Sequence, residues 1–263
     1  MIFLKKLFGD MWGISRILGP YLAFQWAVSI LIHCQSIFKQ RNLQPADRAM
    51  GVGPFHVHIR PGVDFRIAGN SAFSGIREMY VRDVYLHNGL LTIEDGDVVV
   101  DLGANMGNFT NLALAQGKSV KVVSVEPGLA LNEAYKQSVG LNPGFLERTQ
   151  LIRAFIGTAG KTQEDLLEDG QYRGAQWLSE DELLSVCRLS KIDFLKCDIE
   201  GGEFGLLHPD SKLLQMTRKI AIEIHRFAGD VDGFMEMLVA QGFKLIAIQR
   251  DPDGTATVLG IRA

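Results

Sequence analysis

Apolar residues between Val98 and Ile261 follow two alternating rhythms. Short runs rich in β-branched residues predict strands over 98–101, 121–126, 149–155, 192–197 and 219–224. Between them, apolar positions at helical spacing predict helices over 107–116, 129–139, 178–188, 202–208 and 231–241. The strand runs are continuous rather than alternating, as expected for strands buried on both faces. Strand and helix in alternation imply a parallel, doubly wound α/β sheet. The ending breaks this rhythm: Phe243–Gln249 and Thr255–Ile261 flank Asp251-Pro252-Asp253-Gly254 and predict an antiparallel hairpin, for seven strands in all.

Upstream the pattern differs. Phe55, Val57 and Ile59 alternate with polar residues, as do Val63, Phe65 and Ile67 across Arg60-Pro61-Gly62, which predicts a hairpin. His56 and His58 share one face of its first strand, more consistent with a solvated face than with a metal pair. A helix is expected over 74–87, stopping at Asn88-Gly89. Within 1–50, Phe3, Leu4, Leu7, Phe8 and Met11 recur at helical spacing, with Lys5, Lys6 and Asp10 off that stripe. No charged residue occurs from Ile17 to Phe38, but Gly19-Pro20 interrupts the run. Gln25, Ser29, His33 and Ser36 would form one polar stripe, which suits an interfacial helix or one packed on protein better than a lone span. Residues 1–50 thus read as a helical segment that either caps a domain over 51–263 or associates with a membrane. In that domain the hairpin and helix of 51–90 precede a core over 91–263. Basic residues around the stripes favour a peripheral tether through 1–45 at the cytoplasmic face.

Composition narrows the class. The chain has 263 residues, 47% hydrophobic and 22% charged, enough for one large α/β domain with an appendage. Its net charge of −3 provides no basic field, which argues against nucleic acid as a partner. Cys34, Cys187 and Cys197 are odd in number and far apart, which points to a reducing cytoplasm and away from disulfides or structural zinc. Oligomeric state has no signature in the chain.

Candidate chemistry centres on Asp101-Leu102-Gly103-Ala104-Asn105-Met106-Gly107-Asn108. A buried strand runs into a glycine turn with a helix opening behind it, where free N–H groups and the helix dipole receive ligands. Nineteen residues beyond Gly107, the second strand ends at Glu126, placed to accept hydrogen bonds from both hydroxyls of a ribose. Asn105 stands where a dinucleotide fingerprint has its middle glycine, and Asp101 would repel a pyrophosphate. Facing a cationic amino acid portion, Asp101 would instead be attractive. Ribose, adenine and a cationic amino acid together describe S-adenosylmethionine.

Asp101-Leu-Gly-Ala-Asn-Met-Gly107, Glu126-Pro127, Ile192-Asp-Phe-Leu-Lys-Cys-Asp-Ile-Glu-Gly-Gly-Glu203 and Ile222-Glu-Ile-His225 resemble the FkbM-type methyltransferases over about Ser71 to Ile261. The resemblance implies the class I methyltransferase fold, S-adenosylmethionine as cofactor, and methylation of a hydroxyl on a sugar, glycan or related metabolite. It implies cofactor contacts at Asp101, Gly103, Ala104, Asn105, Gly107, Asn108, Glu126 and Pro127. Adenine is expected near Ala154 and Phe155.

A hydroxyl acceptor needs a base, or a metal that lowers its pKa. Asp198, Glu200 and His225 fall at adjacent strand ends, where three ionisable groups are costly unless used. They are the catalytic candidates, with His225 the expected base. The same three could bind Mg²⁺, so metal-assisted and metal-free deprotonation both stay open. Glu203 is expected to cap a helix, and Glu223 divides between pairing within the sheet and a role in the site. Lys196 is a candidate ion-pair partner for the carboxylates. Two other functional classes compete: a nucleotide-dependent oxidoreductase or epimerase, disfavoured by the missing glycine pattern, and a non-catalytic nucleoside-binding scaffold.

Overall fold

A computed structural model describes residues 2–157 and 170–262, with side chains from Lys6 onward. The side chains of Phe3 and Leu4 on the N-terminal stripe, and of Lys5 beside it, therefore lie outside those described.

The main sheet contains β3 (Val98–Leu102), β4 (Lys121–Val125), β5 (Thr149–Ile152), β8 (Ile192–Cys197), β9 (Thr217–Ile224), β10 (Phe243–Arg250) and β11 (Ala256–Arg262). Their order is β10-β11-β9-β8-β3-β4-β5. β3, β4, β5, β8 and β9 are mutually parallel, and β11 runs antiparallel to both of its neighbours. This is the class I methyltransferase arrangement, ending in the expected hairpin. The chain builds outward from β3 through β4 to β5, then returns to place β8 on the other side of β3. Open α/β sheets bind ligands at such a reversal, beyond the carboxyl ends of the strands.

Side-chain alternation divides the core. Val99, Val122, Phe194, Ala221 and Leu259 face one layer, and Val100, Val123, Leu195, Ile222 and Val258 the other. The first layer includes α6 (Asn108–Ala115) and α7 (Leu129–Gly140). The second includes α8 (Glu180–Val186) and α11 (Val231–Ala240). Ser179 opens α8 with a complete capping box alongside Glu182, so the helix starts two residues later than its apolar pattern suggested.

Three local expectations change. The run over 149–155 is two strands: after Arg153 the chain leaves the main sheet, and β6 (Ala154–Ile156) pairs in parallel with β7 (Gln176–Leu178). The helix expected over 74–87 is α5 (Ala72–Gly75) followed by a π-helical turn over Ile76–Val81. It ends before Asp83, whose φ of 52° is left-handed. Helix 202–208 shortens to α9 (Glu203–Leu206), and α10 (Lys212–Met216), too short for a periodic signal, follows it.

At the N-terminus, α1 (Ile2–Leu18), α2 (Pro20–Ile32), α3 (Cys34–Gln40) and α4 (Gln44–Ala49) precede the hairpin β1 (Phe55–Arg60) and β2 (Val63–Ile67). Gly19-Pro20 separates α1 from α2, with proline in the first turn, where its missing N–H costs nothing. Ile14, Ile17 and Trp26 enter the same core layer as Phe55, Phe73 and Phe109. A buried ion cluster sits beside them. Arg77 reaches Asp47 at 2.7 Å and Asp10 at 3.1 Å, Arg82 reaches Asp10 at 2.7 Å, and Trp26 Nε1 donates to Asp47 at 2.8 Å. The expected polar stripe is broken at the bend between α2 and α3: Ser29 is buried and donates to the Ala46 carbonyl, while Gln25 is exposed on α2 and Ser36 on α3. His56 is exposed, and His58 pairs with Asp64 across the hairpin.

Candidate active site

At the carboxyl ends of β3, β4 and β8 the sheet opens into a cavity of about 430 Å³, within the usual range for small-molecule sites. Two loops fuse to make its floor. Asp198 N donates to the Leu102 carbonyl at 3.1 Å, and a Cβ on Gly103 would lie 1.7 Å from the Asp198 carbonyl oxygen. Gly103 also has φ of 74°, so both backbone conformation and close approach demand glycine. Asn105 takes φ of 51°, the left-handed conformation that lets it stand in for a glycine.

Glu126 follows β4 and lines the cavity. Its Oε1 accepts from Gly128 N at 2.8 Å, and its Oε2 from Asn105 N at 3.0 Å. Burial raises its pKa, and the two backbone donors oppose that shift. Each oxygen keeps a second lone pair for a ligand hydroxyl. Gly103, Asn105, Asn108, Pro127, Ala154 and Phe155 line the same cavity. Phe155 stacks on Trp177, with centroids 4.6 Å apart and planes at 18°, and Tyr172 packs against it. Departure of β6 from the main sheet is what brings Ala154 and Phe155 to the cavity wall.

Three expected contacts are placed elsewhere. Asp101 does not line the cavity. Alternation turns it with Val99 toward α6, where it is fully buried, accepts from Thr110 Oγ1 at 2.7 Å and lies 3.3 Å from Lys196 Nζ. Lys196 is its register partner on β8. Lys196 Nζ also donates to the carbonyls of Leu102 at 3.1 Å and Gly103 at 2.7 Å, and lies 3.9 Å from Asp198. Burial opposes its charge, but Asp101 and Asp198 outweigh burial and raise its pKa. Asp101 and Lys196 thus brace the turn from beneath. Ala104 is buried within the turn, and Gly107 packs against Tyr135 and Val139; neither lines the cavity.

On the opposite wall stand Asp198, Glu200 and Glu223, with Tyr85, Ser71, Ser74 and Glu78. Tyr85 Oη donates to Asp198 at 3.1 Å. Burial, then the nearby charge of Asp198, pushes the Glu223 carboxyl up to about 7. His225 does not lie on the wall but behind Asp198 and Glu200, because β9 ends at Ile224 and the chain turns there. Its Nε2 is 3.5 Å from Glu200 and 3.9 Å from Asp198. Glu203, fully buried, holds the ring: its Oε1 accepts from His225 N at 2.7 Å and contacts Nδ1 at 3.0 Å, and its Oε2 accepts from Gly201 N at 2.9 Å. Glu203 therefore does more than cap a helix. Burial opposes a charge on His225, yet Glu203, Glu223 and Asp198 push its pKa up to about 9.

One ligand atom from each of Asp198, Glu200 and His225 falls within 4.8 Å of the others. A protonated imidazole has no lone pair for a metal, so a divalent ion held by these three groups would have to displace the proton from His225 Nε2, while Glu203 holds Nδ1. The cavity suits S-adenosylmethionine, with the Glu126 carboxylate, the Phe155 ring and the glycine turn at Gly103 all on its lining. Sequence reasoning missed the 71–79 wall because a π-helical turn has no periodic signature, and Tyr85 because it lies in irregular turns beyond Val81. Glu223 was visible as a residue, but its aim into the cavity was not.

Comparison with known proteins gives the family. Residues 101–245 match the methyltransferase FkbM domain. The chain is 24% identical over 226 residues to the 31-O-demethyl-FK506 methyltransferase FkbM of Streptomyces tacrolimicus, covering 70% of this chain and 86% of that protein. It is 23% identical over 242 residues to the AMB antimetabolite synthetase AmbE of Pseudomonas aeruginosa, covering 71% of this chain but only 11% of that protein's length. Among solved structures, Aeropyrum pernix fibrillarin with bound S-adenosyl-L-methionine gives a TM-score of 0.46 at 13% identity, covering 79% of this chain and 93% of that one. The precorrin-6y C5,15-methyltransferase of Geobacter metallireducens gives 0.42 at 14%, covering 70% and 88%. With more than half of its length matched to the domain, this chain belongs to the FkbM family of S-adenosylmethionine-dependent methyltransferases.

Proposed function

We propose that this chain transfers a methyl group from S-adenosylmethionine to a hydroxyl oxygen of a sugar, glycan or related metabolite. The observation that carries this reading is the wall of proton acceptors opposite Glu126: Asp198, Glu200 and Glu223, with the His225–Glu203 pair behind them. Bound S-adenosylmethionine supplies an activated methyl group. A neutral hydroxyl must lose its proton as its oxygen attacks. Glu223, held near neutrality, matches that task at physiological pH. Asp198 and Glu200 offer oxygens that hydrogen-bond a polyol, and cationic His225 keeps their paired negative charges together. The name of the Streptomyces tacrolimicus relative specifies methylation at an oxygen, which supports the same chemistry here.

Radiolabelled cofactor incubated with a panel of hydroxylated sugars and glycans tests the proposal. The expected product is a methyl ether that survives mild base. Label found only on nitrogen or as a base-labile ester would overturn it. A second arm adds a chelator: turnover that then collapses and returns with Mg²⁺ would favour metal-assisted deprotonation over Glu223.

A further inference from the structure

Helix α2 has an apolar face on each side. Ala23, Trp26 and Ser29 pack inward, while Tyr21, Phe24, Leu31 and Ile32 point outward. Phe8, Trp12, Phe24, Leu31, Ile32 and Phe38 are each 63–86% exposed, within one segment of about thirty residues. Tyr21, Phe24, Val28 and Ile32 line one shallow groove of about 480 Å³, so these four α2 side chains share a surface. A helix that is apolar all round belongs in an apolar environment on both sides, and here only one is provided by the fold.

The exposed charge of residues 6–49 is of one sign, and the half-buried Asp83, from outside that segment, lies within electrostatic reach of Arg16. Lys6, Arg16, Lys39, Arg41 and Arg48 are exposed. Both carboxylates between residues 6 and 49, Asp10 and Asp47, are buried and committed to Arg77, Arg82 and Trp26. The first 50 residues hold six basic and two acidic residues, against 21 and 28 in the remainder, so a chain of net negative charge has a cationic end. Arg16 lies over the Trp12 ring, 5.3 Å from its centroid. Large apolar side chains ringed by cations, with Trp and Tyr among them, match an interfacial helix layer on anionic lipid. Self-association matches poorly, because a twofold contact would set these cations against themselves.

We infer that α1–α3 form a docking surface that seats this enzyme on an anionic membrane, lying in the interface rather than crossing it. No described helix is long and apolar enough to cross by itself, and the 13-residue α2 meets α3 at a bend of 73°. At 1.5 Å per residue, α2 spans about 20 Å, short of the roughly 30 Å hydrocarbon core. The aromatic and aliphatic tips would enter the headgroup layer, with Lys39 and Arg41 on lipid phosphates.

The test mixes the full chain with sedimentable vesicles of phosphatidylcholine alone, or of phosphatidylcholine with phosphatidylglycerol. Binding to the anionic vesicles should be at least tenfold tighter at low salt and should weaken as salt rises. Lys39→Glu with Arg41→Glu should weaken it about tenfold or more, and Phe24→Glu with Leu31→Glu should abolish it. Both double variants should keep wild-type affinity for S-adenosylmethionine, which confirms that they fold. If the apolar pair fails that control, Phe38→Glu, at the most exposed of these positions, replaces it. A chain that stays in the supernatant, or binds neutral and anionic vesicles equally, would overturn the inference. So would a dimer that Phe24→Glu with Leu31→Glu converts to monomer while vesicle binding is absent or unchanged.

Discussion

Glu126→Ala separates the roles of one carboxylate. In the fold, Glu126 accepts two backbone N–H bonds, from Gly128 at 2.8 Å and from Asn105 at 3.0 Å, while nearly buried. Both donors belong to segments that shape the cavity. Alanine leaves those N–H groups to whatever water can reach them, at about 1–3 kcal/mol for a buried unpaired group. It also removes the charge-assisted bonds to the ribose hydroxyls, each worth about 1.5–3 kcal/mol. Water entering the vacated space recovers part of both, so the net loss of S-adenosylmethionine affinity should be about 2–3 kcal/mol. That is roughly a 30- to 150-fold rise in Kd. Titration calorimetry reads the affinity, and thermal unfolding of the cofactor-free protein reads the structural share. The free protein should lose only a few degrees. Affinity within about twofold of wild type, in a folded variant, would refute the placement of the ribose.

Gly103→Ala should reduce cofactor binding below detection and lower Tm clearly, since its Cβ would strike the Asp198 carbonyl at a left-handed position; a variant that binds normally would show the two loops to be loosely joined. Arg77→Met strips Asp47 of its guanidinium partner and halves the support of Asp10, so chemical denaturation should show a loss of about 3–5 kcal/mol; an unchanged midpoint would mean that water relieves both carboxylates. Two pH effects separate in assay. Glu223, pushed up to about 7, should make turnover rise as pH climbs through neutrality, and Glu223→Gln should erase that limb. His225 has a folded pKa above its unfolded one, so its contribution to stability is complete below about 6.5 and lost as pH rises through about 9. Urea midpoints for His225→Gln should therefore converge with those of wild type toward the alkaline end; a constant gap would deny the ion pair with Glu203.

Much of this protein was legible along the chain because the relevant signals are local. Val98 to Gly107 announces strand, turn and helix through residue type alone, and Glu126 follows its strand at a distance set by one βα unit. Alternation of apolar runs was enough for a doubly wound sheet, and Asp251-Pro252-Asp253-Gly254 for the closing hairpin. Tertiary structure decided what each polar side chain meets. Asp101 and Glu223 alternate with Val99 and Ala221 onto the same layer of the sheet, yet one lies beneath α6 against Lys196 and the other lines the cavity. That difference depends on strand order, and strand order is a long-range choice made by the packing of whole layers. The pairing of β6 with β7 away from the main sheet and the grip of Glu203 on His225 are likewise contacts between segments distant in sequence, while the π-helical turn over Ile76–Val81 is local but has no periodic signature. A one-dimensional pattern records which residues want to be buried; only the folded chain settles against what.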